Sequence, residues 1–280
     1  MKKLAIAYRI YPGVSKSPAV FSDNKYSLSE LCLKSFAEAI KNIDTKIWVI
    51  LDNCPAEYHQ LFRNYLGQSV ELIDTPGIGN GKTFVKQMDI LLSQNFSENI
   101  FFAEDDYFYL PNAFDDLLEF ADSSTHPDFL TPYDHKDYYD VDLHNYRKTT
   151  LPFSDKINWT TESATCLTFF TTKKTLRRTY PIFKTYMYRN FDISIWLAMT
   201  KKRVFNPTIY PKYLFNDFPM FKVLAKAWLY TPLRLPFGKQ YSLYAPQPSL
   251  ATHMESLFLA PNVDWYELFE KAKKDLPDRK

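Results

Sequence analysis

Residues 99–106 run Asn-Ile-Phe-Phe-Ala-Glu-Asp-Asp, four apolar residues closed by three consecutive carboxylates. A short apolar run of this kind fits a strand buried on both faces, as in a parallel sheet. Glu104, Asp105 and Asp106 repel one another unless solvent or a cation relieves them. At the C-terminal end of a buried strand they sit where open α/β sheets bind ligands. Carboxylate oxygens also suit hard cations such as Mg²⁺ and Mn²⁺. A charged turn with Asp105 or Asp106 capping the next helix is the plainer reading, and the triplet alone leaves both open.

Upstream of this stretch, strands and helices alternate. Leu4–Tyr8, Lys46–Leu51 and Val70–Ile73 read as strands, with Ile100–Ala103 the fourth. Helical spacing marks Tyr26–Ile40, with apolar residues at Leu28, Leu31, Cys32, Phe36 and Ile40. Pro55 opens a second helix through Leu66 from a first-turn position. Further helices are expected over Thr83–Leu92 and Asn112–Ala121. This alternation predicts a wound, mostly parallel sheet with right-handed crossovers.

The second half is less regular. Phe129–Thr131 and Ala164–Thr171 read as strands, residues 133–145 as a loop, and Thr172–Thr179, Phe191–Thr200 and Val263–Lys274 as helices. Residues 205–248 are rich in proline and aromatics. The chain divides softly into residues 1–132, which have the nucleotide-binding shape in a general sense, and 133–280, within one continuous domain.

A length of 280 residues suffices for a large core. The net charge of +2 gives no global case for nucleic-acid binding. Cys32, Cys54 and Cys166 are odd in number and widely spaced, which favours a reducing compartment. Met1-Lys2-Lys3 precedes only a short apolar run, and no stretch approaches the length of a membrane span. The expectation is a cytoplasmic protein.

Three of the six glycines lie at Gly77, Gly79 and Gly81. Gly81-Lys82-Thr83 matches the end of a phosphate loop, but the first glycine of that motif falls on Pro76, which has no N–H to offer. The glycines fit a backbone passing close to a ligand or a neighbouring strand instead.

An αβα opening, a Gly-Asn-Gly loop entering a helix, and then a strand ending in Glu-Asp-Asp resembles the GT-A class of nucleotide-sugar glycosyltransferases, with a family 2-like pattern. The resemblance spans roughly residues 1–200. It implies a GT-A-like α/β fold and sugar transfer from a nucleoside diphosphate, foremost a UDP-sugar, to a hydroxyl of a glycan or glycolipid acceptor. It implies that Asp106 binds Mn²⁺ or Mg²⁺ at the diphosphate, with Glu104 or Asp105 toward the ribose. Asp52 would meet the base, Tyr8 and Arg9 would flank it, and Asn80 and Lys82 would touch the nucleotide. A late histidine completes the metal shell in many members, and His253 is the candidate here; packing in a loop is the alternative.

Asp192 begins a helical stretch beside Phe191. Inverting members place their base at such a helix start, so the resemblance makes Asp192 the base, with Asp217 its rival; a structural cap is the plainer reading. Residues Met220–Lys239 interleave Lys222, Lys226, Arg234 and Lys239 with aromatics. They fit either snorkelling over a core or peripheral contact with an anionic membrane. Two rival functions remain. A sugar nucleotidyltransferase would carry a glycine- and arginine-rich loop after the first strand, of which residues 11–16 are a poor version. A non-catalytic nucleotide- or sugar-binding protein of the same fold is the other.

Overall fold

A computed structural model describes residues 2–13 and 17–276, so Val14, Ser15 and Lys16 of the loop weighed above lie outside the described residues. Strand β1 (Lys3–Ile10) leads through α1 (Lys25–Ile40), β2 (Asp44–Asp52), α2 (Glu57–Leu66), β3 (Glu71–Thr75) and α3 (Asn80–Ser93) to β4 (Asn99–Glu104). Next come β5 (Tyr107–Tyr109), α4 (Ala113–Ala121), β6 (Phe129–Leu130), α5 (Asp137–Asp140), β7 (Thr150–Pro152), β8 (Asn158–Thr161) and β9 (Phe169–Thr172). The chain finishes with α6 (Lys173–Phe183), α7 (Asp192–Thr200), α8 (Ile209–Asn216), α9 (Phe218–Tyr230), α10 (Arg234–Phe237), β10 (Leu243–Gln247), β11 (Ala251–His253) and α11 (Trp265–Lys274).

Nine strands form one sheet in the order β3-β2-β1-β4-β9-β6-β10-β8-β7. Its first four strands are mutually parallel, and only β9 and β8 run against the common direction. This is the expected α/β architecture, a wound and mostly parallel sheet flanked by helices. Strands from both halves of the chain interleave, since β9 lies between β4 and β6.

Alternation along the strands feeds two cores. Leu4, Ile6 and Tyr8 of β1, with Phe101 of β4, meet α1, α2, α4 and α11 on one face. Ala5 and Ala7, with Ile100 and Phe102, meet α3, α6, α7 and α9 on the other. The apolar runs are continuous because both faces are covered. On the second face Phe102 stacks on Phe169 at 4.5 Å, and Phe169 on Phe183 at 5.2 Å. Such pairs add about 0.5–1.5 kcal/mol beyond their buried area.

Several expected boundaries move. The glycine loop is shorter than expected, because α3 starts at Asn80 and takes Gly81 and Lys82 into its first turn. Pro55 precedes α2 by two residues rather than opening it. Only Phe169–Thr172 of the expected strand 164–171 is extended, and Thr172 caps α6 by accepting from Thr175 N–H. Residues 133–145 contain α5 and a single 3₁₀ turn. The proline-rich stretch folds as α8, α9, α10 and β10. Pro246 masks β10, because a proline argues against an interior strand. Here it pairs opposite Trp159 of β8, beyond the two-residue ladder to β6, where its missing N–H breaks nothing. No helix among the described residues is long and apolar enough to cross a membrane.

Candidate functional site

Arg9 and Glu104 end neighbouring parallel strands and lie side by side in register. Their side chains form an ion pair. Arg9 also donates to the Asn80 carbonyl at 2.9 Å, and its guanidinium lies 5.5 Å from the centre of the Phe84 ring. Thr168 Oγ1 donates to the other Glu104 oxygen at 2.9 Å.

The two aspartates take different partners. Lys25, the first residue of α1, places Nζ 2.5 Å from Asp105 Oδ2. Burial alone would lower the Lys25 ammonium, but Asp105 and Asp106 overrule it and hold it raised. Burial raises the Asp105 carboxyl, which Lys25 only partly offsets. His253 reaches Asp106 from almost the other end of the chain. Strand β11 pairs with β5 so that His253 sits opposite Tyr107, and Met254 N–H donates to the Asp106 carbonyl at 2.8 Å. His253 Nε2 thereby lies 3.1 Å from Asp106 Oδ2. Burial favours a neutral Asp106, but His253 outweighs it and pulls the carboxyl below its usual range.

Asp52 ends β2 and organises the glycine loop. Its Oδ1 accepts from Ile78 N–H and Thr75 Oγ1, both at 2.7 Å, and its Oδ2 from Gly79 N–H at 2.8 Å. Burial works against the charge, but these donors hold the carboxyl below its ordinary value. The loop leads into α3 at Gly79, whose φ of +83° lies in the left-handed region that glycine tolerates. Asn80 then donates from Nδ2 to Tyr186 Oη at 2.9 Å.

Together these groups line a cleft of about 530 Å³ at the C-terminal ends of β1, β2 and β4. Arg9, Asp52, Asn80, Glu104, Asp105 and Asp106 all face it, and His253 joins them through Asp106. Three expected residues, Tyr8, Lys82 and Asp192, do not, and Asp192 borders a separate small cavity. Tyr8 follows the alternation of β1 onto the opposite face, where its ring packs edge-on against Phe36 and Phe62. Lys82 lies on the exposed side of α3. Tyr11 and Lys25 line the cleft instead. Lys25 was visible only as a charge beside a helix start, and no local spacing ties it to Asp105.

Asp192 is the first residue of α7, while the cap position belongs to Phe191. It accepts from Ile193 N–H at 2.7 Å and borders a small cavity of about 70 Å³ with His135, Thr165 and Cys166. Burial pushes its carboxyl upward, and the charge of nearby Glu104 pushes it further. Asp217 caps α9 by accepting from Met220 N–H at 3.2 Å.

The donor set bears on a divalent ion. Asp106 Oδ1 is buried without a hydrogen-bond partner, and Asp106 Oδ2 and His253 Nε2 converge. Glu104 is already held by Arg9 and Thr168, and Asp105 by Lys25. Among the described residues, no group of three or more His, Cys, Asp and Glu is arranged to hold a metal. One carboxylate and one imidazole would hold an ion only where its remaining ligands come from a bound ligand and water.

The chain is thus an α/β protein with a charged cleft at the carboxyl ends of parallel strands. No protein-family model matches it, and neither does any curated protein. Among solved structures it is similar to the galactosyltransferase LgtC in complex with donor and acceptor sugar analogues, at 11% identity and a TM-score of 0.47 over 99% of this chain and 97% of that one. The inositol-1-phosphate CTP transferase of T. maritima is 14% identical with a TM-score of 0.46, over 99% and 98% of the two chains. S. aureus TarS 1–349 is 14% identical with a TM-score of 0.43, over 82% and 71%. Likeness at this level says nothing of what this chain binds or transfers.

Proposed function

We propose that this protein is a metal-dependent glycosyltransferase that moves a sugar from a nucleoside diphosphate to an acceptor hydroxyl with inversion at the anomeric carbon. The observation that carries the reading is the Asp106 carboxylate, buried with one oxygen unpartnered, lining a cleft at the carboxyl ends of parallel strands. A ligand bringing a cation would satisfy that oxygen.

In this reading Asp106 and His253 hold the ion, which neutralises the charge of the departing diphosphate. Asp52 keeps the glycine loop closed beneath the nucleotide, and Tyr11 rather than Tyr8 offers a ring to the base. Asp192 takes the acceptor hydroxyl proton as that oxygen attacks the anomeric carbon and the bond to the diphosphate breaks. A carboxyl raised by burial is suited to that transfer. The acceptor is a hydroxyl of a glycan or glycolipid.

Thermal unfolding with UDP, GDP and CDP, each with and without Mn²⁺, tests this. Ligand at a hundredfold over its Kd contributes about 2.7 kcal/mol, roughly 5–10 °C in Tm for a chain of this size. The expected result is a Mn²⁺-dependent rise with one diphosphate, absent in Asp106→Ala and kept in Asp192→Asn, which loses sugar transfer. A rise that ignores Mn²⁺ and Asp106→Ala sinks the metal site. A rise with triphosphates alone favours the nucleotidyltransferase reading, and no rise with any nucleotide removes the donor site.

A further inference from the structure

Residues 201–239 carry eight Lys and Arg against the single acid Asp217, a net of +7 in a chain whose total is +2, so the remaining residues together carry −5. The same segment holds seven of the thirteen exposed large hydrophobic residues among those described. Phe215 is 82% exposed, Phe237 84%, and Leu229 and Leu233 74% each. Monomeric proteins seldom leave so many apolar side chains together in water without a partner.

The arrangement is directional. Along α9 the exposed positions are Phe218, Pro219, Lys222, Ala225 and Leu229, and Phe218, Lys222, Ala225 and Leu229 are spaced as one stripe of a helix. Val223, Leu224 and Ala227 fill the opposite side and are buried. In the chain, exposed Phe215 precedes the stripe by three residues, and exposed Leu233 and Phe237 follow it. The face therefore has no protein cover while its back is well packed. Lys222 lies on the stripe, its ammonium 4.8 Å from the centre of the Phe218 ring. Three of the eight cations are drawn aside: Arg203 and Lys212 pair with Asp142, and Lys239 with Asp128. Of the rest, Lys222 stands on the stripe, and Lys226 follows it one helical turn later, over the Phe191 ring, so the exposed face carries positive charge.

We infer that the α8–α10 face docks on an anionic phospholipid bilayer. Exposed Phe and Leu seat at the boundary of headgroups and acyl chains, and Lys and Arg meet the anionic headgroups, a pairing that defines interfacial helices. At 13 residues α9 is too short to span a bilayer and lies in the interface. A second copy of this chain is the poorer occupant, because twofold pairing sets one basic face against an identical one. The inner side of α9 packs on α7, where Ser194 Oγ donates to the Val223 carbonyl at 2.8 Å, which leaves the stripe on the outer side. The inference does not depend on the proposed reaction.

Co-sedimentation of the full chain with phosphatidylcholine vesicles, alone or with phosphatidylglycerol, is the test, and it needs neither nucleotide nor turnover. Binding is expected to the anionic vesicles only and to fall with added salt. Phe215→Ser with Phe237→Ser should weaken it about tenfold or more, and Leu257→Ser, outside the segment, should leave it unchanged. Lys222→Glu, on an exposed position, should weaken it as well and covers the case in which the double variant fails to fold. Absence of sedimentation with anionic vesicles, equal sedimentation with both kinds, or binding untouched by these changes would overturn the inference. So would a dimer of the wild-type chain that the double variant dissolves while vesicles go unbound.

Discussion

Glu162, just beyond β8, is 1% exposed, and both its oxygens lie 2.9 Å from Lys148 Nζ. Burial raises its carboxyl to about 8, an effect that Lys148 opposes without cancelling. Between its ordinary value of 4.5 and about 8, the folded chain keeps a proton that the unfolded chain has released. Stability from this group is therefore present in full below pH 4.5 and is lost as pH rises through 8. Each unit of displacement corresponds to about 1.4 kcal/mol. Glu162→Gln, neutral at every pH, should flatten the fall in Tm between pH 5 and pH 8 seen in the wild type. An unchanged slope would mean that Glu162 ionises in the folded protein as it does in the unfolded one. In the acidic triplet His253 holds the Asp106 carboxyl low, while Lys25 leaves that of Asp105 raised. Glu104 has Arg9, Asp105 has Lys25 and Asp106 has His253, each cation brought by a different element. The sequence put Arg9 at the end of the first strand, near the site, but did not show its pairing with Glu104, which the parallel register of β1 and β4 sets. Lys25 was not legible, because only the packing of α1 brings it to Asp105. The opposite placement of Tyr8 needed only the period of two along β1, which the strand reading already contained.

The join of the glycine loop and α3 shows how an element is aimed. Gly79 supplies the left-handed turn, Asp52 pins the two preceding N–H groups, and Gly81 lets the 3₁₀ segment Lys184–Tyr188 close over the helix start. A Cβ on Gly81 would stand 2.8 Å from Met187 Cα, a backbone atom that cannot swing away. Ala in place of Gly inside a helix ordinarily gains up to about 1 kcal/mol, while forcing an atom into packed surroundings costs about 1–3 kcal/mol. At the first turn, where propensity counts least, the clash should win. Gly81→Ala is expected to destabilise the protein by about 1–2 kcal/mol, read from the urea midpoint, and, under the proposed function, to weaken nucleotide binding through the displaced Tyr186–Asn80 contact. A stabilised variant would show that residues 184–188 yield freely. The sequence announced a special backbone demand here by concentrating its glycines, but it did not say that the demand was an approach to residues a hundred positions away.

At the scale of the whole molecule, the sheet makes the two halves inseparable. Strands β1, β2 and β4 were readable from their apolar runs, because parallel strands covered on both faces leave no polar alternation to confuse the pattern, while edge strand β3, none of it fully buried, shows only Leu72 and Ile73 after Val70. The later strands β7, β8 and β10 are short and pair antiparallel in β10–β8–β7, and none carries such a run. Strand β10 is nevertheless interior, parallel to β6 on one side and antiparallel to β8 on the other. It is followed by β11, which carries His253 to the cleft, and by α11, whose Trp265 and Phe269 are buried in the first core. A chain ending at residue 240 would lose all three elements and strip three strands, β5, β6 and β8, of a neighbour. Removing a buried Leu or aromatic side chain costs about 2–5 kcal/mol, and each stranded backbone group about 1–3 kcal/mol. A whole domain has only about 5–15 kcal/mol in hand. Leu243, Trp265 and Phe269 alone reach that margin, before any of the lost backbone pairing is counted. The shortened chain should therefore show no cooperative thermal transition, although the entire βα run before β5 and five of the six charged side chains paired at the acidic triplet remain in it. A sharp transition close to the wild-type Tm would mean that the parallel strands and their helices fold alone, with the C-terminal elements serving only to deliver His253.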